Sequence, residues 1–400
     1  MTPRTQTPRA ARYVGAHLRR GVLVAATAVL AAAGCSPTDV LSVTDPDIVN
    51  PSDVQSEAGA NAVRLGALAR LNAATTGDES LFLLGGLFAD EWINGDSFAA
   101  RWDIDRRSIT QENSFVLPAN RVLHRARIGA HQAVELLQQY APNAPAWQIA
   151  EMHMVQAYAT NLLAEHFCNG LLFSELVDGR EQFGAPITGD SAFQRALAHA
   201  DAGLALTFGN TADDQRVLNA LRLTRGRILM NLNRPADAAT AVADVPTSFQ
   251  YVMLHAQTTT SNQIWLFNNK ARRYSVGNNE GINGLNFATA GDPRVPVCVG
   301  GDAACQAIGA TFTQRDDLGT PYHVQMLWPT RESPVAIMQG VDARMLQAEA
   351  QLRAGAPDQA LATLNAARAT VPGLAPLDLA ATPEAQVDQL FREKAFWTFT

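Results

Sequence analysis

The sequence has 400 residues, of which 47% are hydrophobic and 17% are charged, and its formal net charge is −7. This composition is ordinary for a globular protein with a large core. The first 34 residues contain five arginines and no acid, so the rest of the chain carries 26 basic and 38 acidic residues, a net charge of −12. That acidic balance argues against nucleic-acid binding, which requires a positive surface.

The N-terminus has the pattern of an export signal. Basic residues precede an apolar run from Gly21 to Ala33, which is shorter than the roughly 20 residues that span a membrane. The junction Ala32-Ala33-Gly34-Cys35 resembles a lipobox, although Ala32 stands where leucine is usual. We expect residues 1–34 to be a lipoprotein signal peptide, with Cys35 lipidated and residues 35–52 a tether rich in Ser, Thr, Pro and Asp. The alternative is a conventional signal peptide with an incidental cysteine.

Three further cysteines follow. Cys298 and Cys305 flank a glycine-containing turn and would form a small disulfide loop in an oxidising compartment. Zinc binding is the weaker alternative, because no histidine lies at a suitable spacing, and we expect no metal. Cys168 is then a lone thiol, which we expect to be buried rather than reactive.

Apolar residues at three- and four-residue steps predict a series of helices in the region 53–246. Proline or Asn-Gly sequences end several of them. The predicted helices are Gly59–Asn72, Ser80–Asp90, Ala119–Tyr140, Ala146–Phe167 and Ala192–Leu206.

Two later segments are similar to each other. Thr224–Val242 and Leu346–Leu364 both read as a helix, a tight turn with proline and a second helix, and Pro235 aligns with Pro357. Small alanines at the packing positions indicate tetratricopeptide-like hairpins, which must stack to bury their faces. Two unrelated helical hairpins are the alternative.

The two hairpins are too far apart for a tandem repeat, so a long insertion must separate them. It covers residues 247–335, is rich in Gly, Asn and Pro, and contains β-prone pieces such as Gln263–Phe267. The predicted fold is therefore mostly α-helical, with hairpins interrupted by an irregular, partly β insertion, before a C-terminal helical region at 336–400. Long irregular segments on a rigid scaffold often carry binding residues.

No catalytic motif is present, and we predict neither an enzyme nor a cofactor. Sugars bind to flat aromatic faces and to planar amide, carboxylate or guanidinium groups, and several residues in polar loops offer that chemistry. The alternative for each aromatic is that it anchors its loop to the core. The candidate ligand contacts are Trp92, Asn94, Asp96, Trp102, Tyr274, Tyr322 and Trp328.

The order of these segments resembles the SusD/RagB family of outer-membrane nutrient-uptake lipoproteins. The resemblance rests on Asn50-Pro51 before the first helix, on Leu87–Ser97, on Glu151–Phe173, on Phe193–Leu206 and on Val341–Arg368. In the last segment, an "AEA" helix precedes the pattern "A-x-x-x-L-N-x-x-R". Phe173 departs from the family's usual proline. Family members also continue beyond the position of Arg392-Glu393, so the resemblance implies a C-terminally truncated member.

The resemblance implies a function as well as a fold. It implies a protein that is lipid-anchored on the cell-surface side of the outer membrane, binds an oligosaccharide or peptide, and delivers it to a TonB-dependent (SusC-like) β-barrel transporter. The alternative is a tetratricopeptide-like scaffold for envelope protein assembly, which binds proteins only. A scaffold has little need for the long insertion.

Overall fold

The computed structural model describes residues 54–177, 180–310 and 313–400. The expected signal peptide, Cys35, the tether and the Asn50-Pro51 entry lie outside the described residues. None of the described helices is long and apolar enough to cross a membrane.

Seven helices form the N-terminal part of the described chain. The bounds of the long helices agree with the predicted ones to within a few residues. Ser56 caps the first helix by accepting a hydrogen bond from the Gly59 amide. They are α1 (Glu57–Thr76), α2 (Leu81–Phe88), α3 (Ala99–Asp105), α4 (Val116–Tyr140), α5 (Ala146–Phe167), α6 (Gly189–Leu204) and α7 (Ala212–Asn231).

Helix α1 packs on α4, α4 on α5, α5 on α6, and α7 on both α5 and α6. Their facing residues form the largest buried core, which is rich in alanine and leucine. Small side chains allow close approach of antiparallel helices, as the sequence pattern indicated. Between α5 and α6 lie four short strands, β2 (Leu171–Leu172), β3 (Glu175–Val177), β4 (Arg180–Gln182) and β5 (Pro186–Ile187), paired as β2–β5 and β3–β4.

The two predicted hairpins are present and equivalent. The first consists of α7 and α8 (Pro235–Ala241), and the second of α11 (Gly340–Arg353) and α12 (Pro357–Arg368). Each second helix begins with proline in its first turn, and two residues earlier the chain takes a positive φ, at Asn233 and at Gly355. The hairpins stack through α8 and α11, so the tetratricopeptide-like fold class is confirmed.

The insertion leaves this stack through one antiparallel strand pair. Strand β6 (Gln250–Met253) pairs with β10 (Val335–Gln339), with a bulge between Ala336 and Met338. Between them lie α9 (Gln263–Trp265), a π-helix (Leu266–Lys270), β7 (Tyr274–Val276), β8 (Val297–Val299), α10 (Ala303–Ala307) and β9 (His323–Gln325). The chain ends with α13 (Pro383–Trp397).

One local expectation in the insertion is wrong. Gln263–Phe267 is helical rather than extended. The Asn262 side chain accepts a hydrogen bond from the Trp265 amide and starts the helix. The side chains of Asn268 and Asn269 then bond to the backbone of Tyr274 and Gln325, which holds the following turn in place. The capping by Asn262 and the hydrogen bonds of Asn268 and Asn269 together outweigh the β-propensity of Ile264, Trp265 and Phe267.

The cysteines separate into one pair and one thiol. Cys298 and Cys305 are joined in a disulfide, the pairing that their spacing favours. Cys168 is exposed, against the expectation of a buried thiol. Helix α5 ends at Phe167, and Cys168 adopts a left-handed backbone (φ 57°) that takes it out of the helix.

Candidate functional site

A second hydrophobic core lies beneath the loops of the insertion. It joins β1 (Trp92–Asn94), which pairs antiparallel with β7, to the C-terminal residues. The Trp92 ring packs edge-on against Tyr274 at 6.4 Å between centroids and tilted against Phe399 at 5.0 Å. The loops that follow β1 and precede β7 therefore have a rigid base.

Arg101 organises the polar part of this base. Its side chain is 1% exposed, yet it forms ion pairs with Glu79 and Asp96. The guanidinium also lies within 6 Å of the ring centroids of Phe98, Phe115, Phe267 and Tyr274. Such contacts are favourable cation–π interactions, and they connect α3 with the insertion.

Tyr274 completes this buried network by donating a hydrogen bond from its hydroxyl to Glu79. Burial, together with the Glu79 carboxylate, raises the pKa of Tyr274 well above its usual value. The phenol therefore remains a neutral donor at physiological pH.

Three loops meet above this base. The Gly95 amide donates to the carbonyl of Arg273 at 2.9 Å, and the Asp317 amide donates to the carbonyl of Gly95 at 3.1 Å. Arg272, at a positive φ of 54°, turns the chain so that its guanidinium reaches Asp317.

The side chains at this junction form an exposed patch, which we call the loop surface. Phe98 is 54% exposed, and the guanidinium of Arg273 lies 5.8 Å from the centroid of its ring. An exposed aromatic residue beside planar charged groups is chemistry that suits a sugar. The loop surface consists of Phe98, Arg272, Arg273, Asp317 and Leu318.

The structure places most of the predicted ligand contacts beneath this surface. Trp92, Asn94, Tyr274 and Tyr322 are completely buried and Asp96 nearly so, because their strands and loops pack them into the base and the neighbouring disulfide-linked core. Burial leaves them no face for a ligand, so they support the site instead of touching it. Trp102 and Trp328 are partly exposed.

Trp102 lies next to the loop surface, and Trp328 lies after β9. Trp102 lies on α3, and the guanidinium of Arg106 lies over its ring, 4.2 Å from the centroid. Trp328 follows β9, and its backbone is held at both N–H and C=O by the side chain of Gln325. The Trp102 amide donates a hydrogen bond to the carbonyl of Phe98 at 3.3 Å, so Trp102 lies one helical turn from the loop surface.

A group of carboxylates lies beside the base. Burial, and then the charges of Glu280 and Asp90, raise the pKa of Asp105 to about 6. Asp90 pairs with Arg107 at 2.7 Å.

In the described part of the chain, one set of His, Cys, Asp or Glu side chains converges closely enough to hold a metal ion: Cys298, Asp302 and Cys305. The disulfide occupies both of its sulfur atoms.

A cavity of about 380 Å³ lies among α2, α5, α7 and α11. Its lining mixes apolar side chains, mostly leucine and methionine, with polar and charged ones. Within the lining, Glu165 pairs with Arg227 at 2.6 Å. Burial raises the pKa of Asp342, another lining residue, to about 6. The Glu91 and Asp342 carboxylates of the lining accept hydrogen bonds from the backbone amides of Thr400 and Gln339.

No protein-family model and no curated protein sequence matches the chain. Solved structures do match it. A SusD superfamily protein from Bacteroides thetaiotaomicron aligns over 86% of this chain and 88% of its own, with a TM-score of 0.63 and 11% identity. A SusD-like carbohydrate binding protein from Bacteroides vulgatus aligns over 86% and 81%, with a TM-score of 0.61 and 11% identity.

The chain has the SusD fold. NanU of Bacteroides fragilis aligns as well, over 88% of this chain and 89% of its own, with a TM-score of 0.56 and 14% identity. The predicted resemblance to the SusD/RagB family is confirmed through the fold.

Within this SusD fold, sequence reasoning missed Phe98. The ring lies in a polar loop two residues after Asp96, and the Asp96 carboxylate accepts a hydrogen bond from the Phe98 amide at 2.9 Å. A single aromatic among Gly, Asp, Ser and Ala is the signal that could have identified it, since nothing in that loop would bury its ring.

Proposed function

We propose that this protein is a surface-exposed lipoprotein of the outer membrane that binds an oligosaccharide and delivers it to a TonB-dependent β-barrel transporter. The observation that carries the proposal is the exposed ring of Phe98 on a preorganised loop surface, within a SusD fold. The B. vulgatus neighbour is described as a carbohydrate binding protein, which favours a glycan over a peptide as the ligand.

The contacts at the loop surface give a direct role to each group. The Phe98 ring would cover an apolar C–H face of a sugar, while Arg273 and Asp317 would bond to its hydroxyls. Since Arg101 and the β1–β7 pair fix the loops from below, little ordering is needed when the ligand arrives. A binding protein of this kind breaks no bond.

Calorimetric titration with a panel of oligosaccharides tests ligand binding. We expect Phe98→Ala to weaken the binding of a recognised glycan about tenfold or more, roughly 1.4 kcal/mol. Phe391→Ala is the matched control, because Phe391 is 48% exposed, similar to Phe98, but lies on α13. Equal loss in both variants, or binding of peptides but of no glycan, would refute the proposed ligand class.

Membrane attachment and the transporter are tested in cells. Labelled palmitate should enter the wild-type chain and not Cys35→Ser, because the thiol is the acceptor of the lipid. Pull-down of the lipidated protein from outer membranes in mild detergent should recover a TonB-dependent barrel in near-equal amount. Recovery of envelope assembly proteins without a barrel would favour the scaffold alternative instead.

A further inference from the structure

Two of the three arginines at the loop surface and its base have a close ionic partner, whereas the third has only a distant one. Arg101 is paired with Glu79 and Asp96, and Arg272 is paired with Asp317. Arg273 has one ionic contact, from its Nε to Asp96 at 4.0 Å, and donates no side-chain hydrogen bond to any described residue.

Asp96 is bonded more closely to two other donors than to Arg273. Its Oδ2 accepts a hydrogen bond from Arg101, and its Oδ1 accepts one from the Phe98 amide at 2.9 Å. The carboxylate is also nearly buried. In the described part of the chain, Asp96 at 4.0 Å is therefore the one carboxylate within ion-pair range of Arg273, and no hydrogen bond joins the two side chains.

The guanidinium of Arg273 is nevertheless held in place. It lies 5.0 Å from the centroid of buried Phe267 and 5.8 Å from that of Phe98. Its backbone is fixed by the hydrogen bond from Gly95. With 38% of the side chain exposed, the arginine combines restricted freedom with access from solvent. A planar, preorganised guanidinium binds a carboxylate through two parallel hydrogen bonds.

We propose that the loop surface selects acidic glycans, those with a carboxylate-bearing sugar such as a uronic acid unit. Arg273 would bind the carboxylate while the adjacent Phe98 ring covers the apolar face of the same or the neighbouring sugar. The inference rests on the proposed function and narrows its ligand to a charge class. Arg272 contributes less, since Asp317 already balances it.

A pair of ligands that differ only in charge tests this selectivity. We would titrate the protein with oligogalacturonate and with its methyl ester, and extend the comparison to other uronate oligosaccharides and their neutral counterparts. We expect the acid to bind about tenfold or more tightly than its neutral partner. The preference should weaken as the salt concentration rises, because the charge pair lies at the surface.

Substitutions assign the preference to one residue. Arg273→Gln should bring the affinities for the acid and for its neutral partner to similar values, with the larger loss on the acid, and Arg273→Lys should retain part of the preference. Arg331→Gln is the matched control, because Arg331 also lies over an aromatic ring, that of Trp265, at 5.6 Å. It should keep the full preference.

The outcomes separate this inference from the function beneath it. If glycans bind but acid and neutral partners bind equally, or if Arg273→Gln keeps the preference, the selectivity is wrong and the glycan-binding function stands. If no glycan of either charge binds, the proposed function itself fails and the inference fails with it.

Discussion

Arg101 is a buried cation whose removal should cost much of the local stability. Replacing it by methionine, which preserves the volume, leaves Glu79 and Asp96 buried without a counter-charge. Breaking a buried ion pair from one side costs about 3–5 kcal/mol, so we expect a loss of that size in the free energy of unfolding of Arg101→Met, measured by urea denaturation.

Arg273→Gln provides the contrast for this prediction. Its side chain is partly exposed and weakly paired, so the loss in unfolding free energy should stay below about 1 kcal/mol. If Arg101→Met were no more destabilising than Arg273→Gln, the buried network would not be the foundation of the loop surface.

The sequence allowed the loops of the site to be predicted, but not which side chains face outward. Trp92, Asn94 and Tyr274 lie in a pair of three-residue strands that is covered on both faces, so alternation gives no clue to exposure. Asp96 and Arg101 look like ligand groups in the sequence because both are polar. Arg101 pairs with Asp96 within the same loop and helix, and it pairs also with Glu79, which is 22 residues away in the chain.

Two glycines within helices offer a matched test of helix packing. A Cβ at Gly226, on α7, would lie 2.4 Å from Val242 Cγ1 of the same hairpin, whereas a Cβ at Gly66, on α1, would meet no atom within 4 Å. Gly226→Ala should therefore destabilise the protein by about 1–3 kcal/mol through overpacking. Gly66→Ala should stabilise it by about 0.5–1 kcal/mol, because alanine is the better helix former.

Thermal and urea denaturation of the two variants give the measurement. Opposite signs are the expected result, since the substitution is the same and only the surroundings differ. Stabilisation of similar size at both positions would show that α7 and α8 do not pack as closely as the structure has them.

At the scale of elements, helices were more predictable than the insertion. Helix α5 has the bounds that its periodicity predicts, because proline precedes it and Asn-Gly follows shortly after it. Gln263–Phe267 was not predictable from its residues alone. Its helical form depends on Asn262, Asn268 and Asn269, which bond to segments as far away as Gln325.

At the scale of the whole molecule, the stacking of the two hairpins across the insertion followed from physics visible in the sequence. Neither hairpin can bury its apolar face alone, and both have the same turn before proline. The β6–β10 pair allows this stacking, because it brings the two ends of the insertion together. The short, mutually distant strands could not be paired from sequence, since loop contacts determine their register.

Histidines packed among α4, α5 and α6 make the stability of the helical region depend on pH. Burial lowers the pKa of His124 and of His199 to about 4, and it lowers that of His153 as well. The charge of Arg127 lowers the pKa of both His124 and His199 further. The pKa of His199 is lowered also by His153, His131 and Arg195. The folded protein therefore keeps these imidazoles neutral at pH values where the unfolded chain, with a pKa near 6.5, takes up protons.

The sign of the effect follows from proton uptake. Between about pH 6.5 and pH 4 the unfolded state binds more protons at these sites, so their contribution to the unfolding free energy decreases as the pH falls. Asp105 and Asp342 act oppositely, because their pKa values are raised to about 6 and the folded state takes up protons first. The pH dependence of the total unfolding free energy combines both effects. Comparing the wild type with a variant of one histidine separates them.

The variant His199→Gln isolates the histidine contribution. Glutamine does not titrate, so the stability of the variant relative to wild type should rise steadily as the pH falls from 6.5 to about 4 and be constant above pH 7. Urea denaturation at half-unit pH steps measures this difference, in which the carboxyl contributions cancel. A difference that did not change with pH would mean that His199 titrates normally in the folded protein and that the contact among α4, α5 and α6 is open to water.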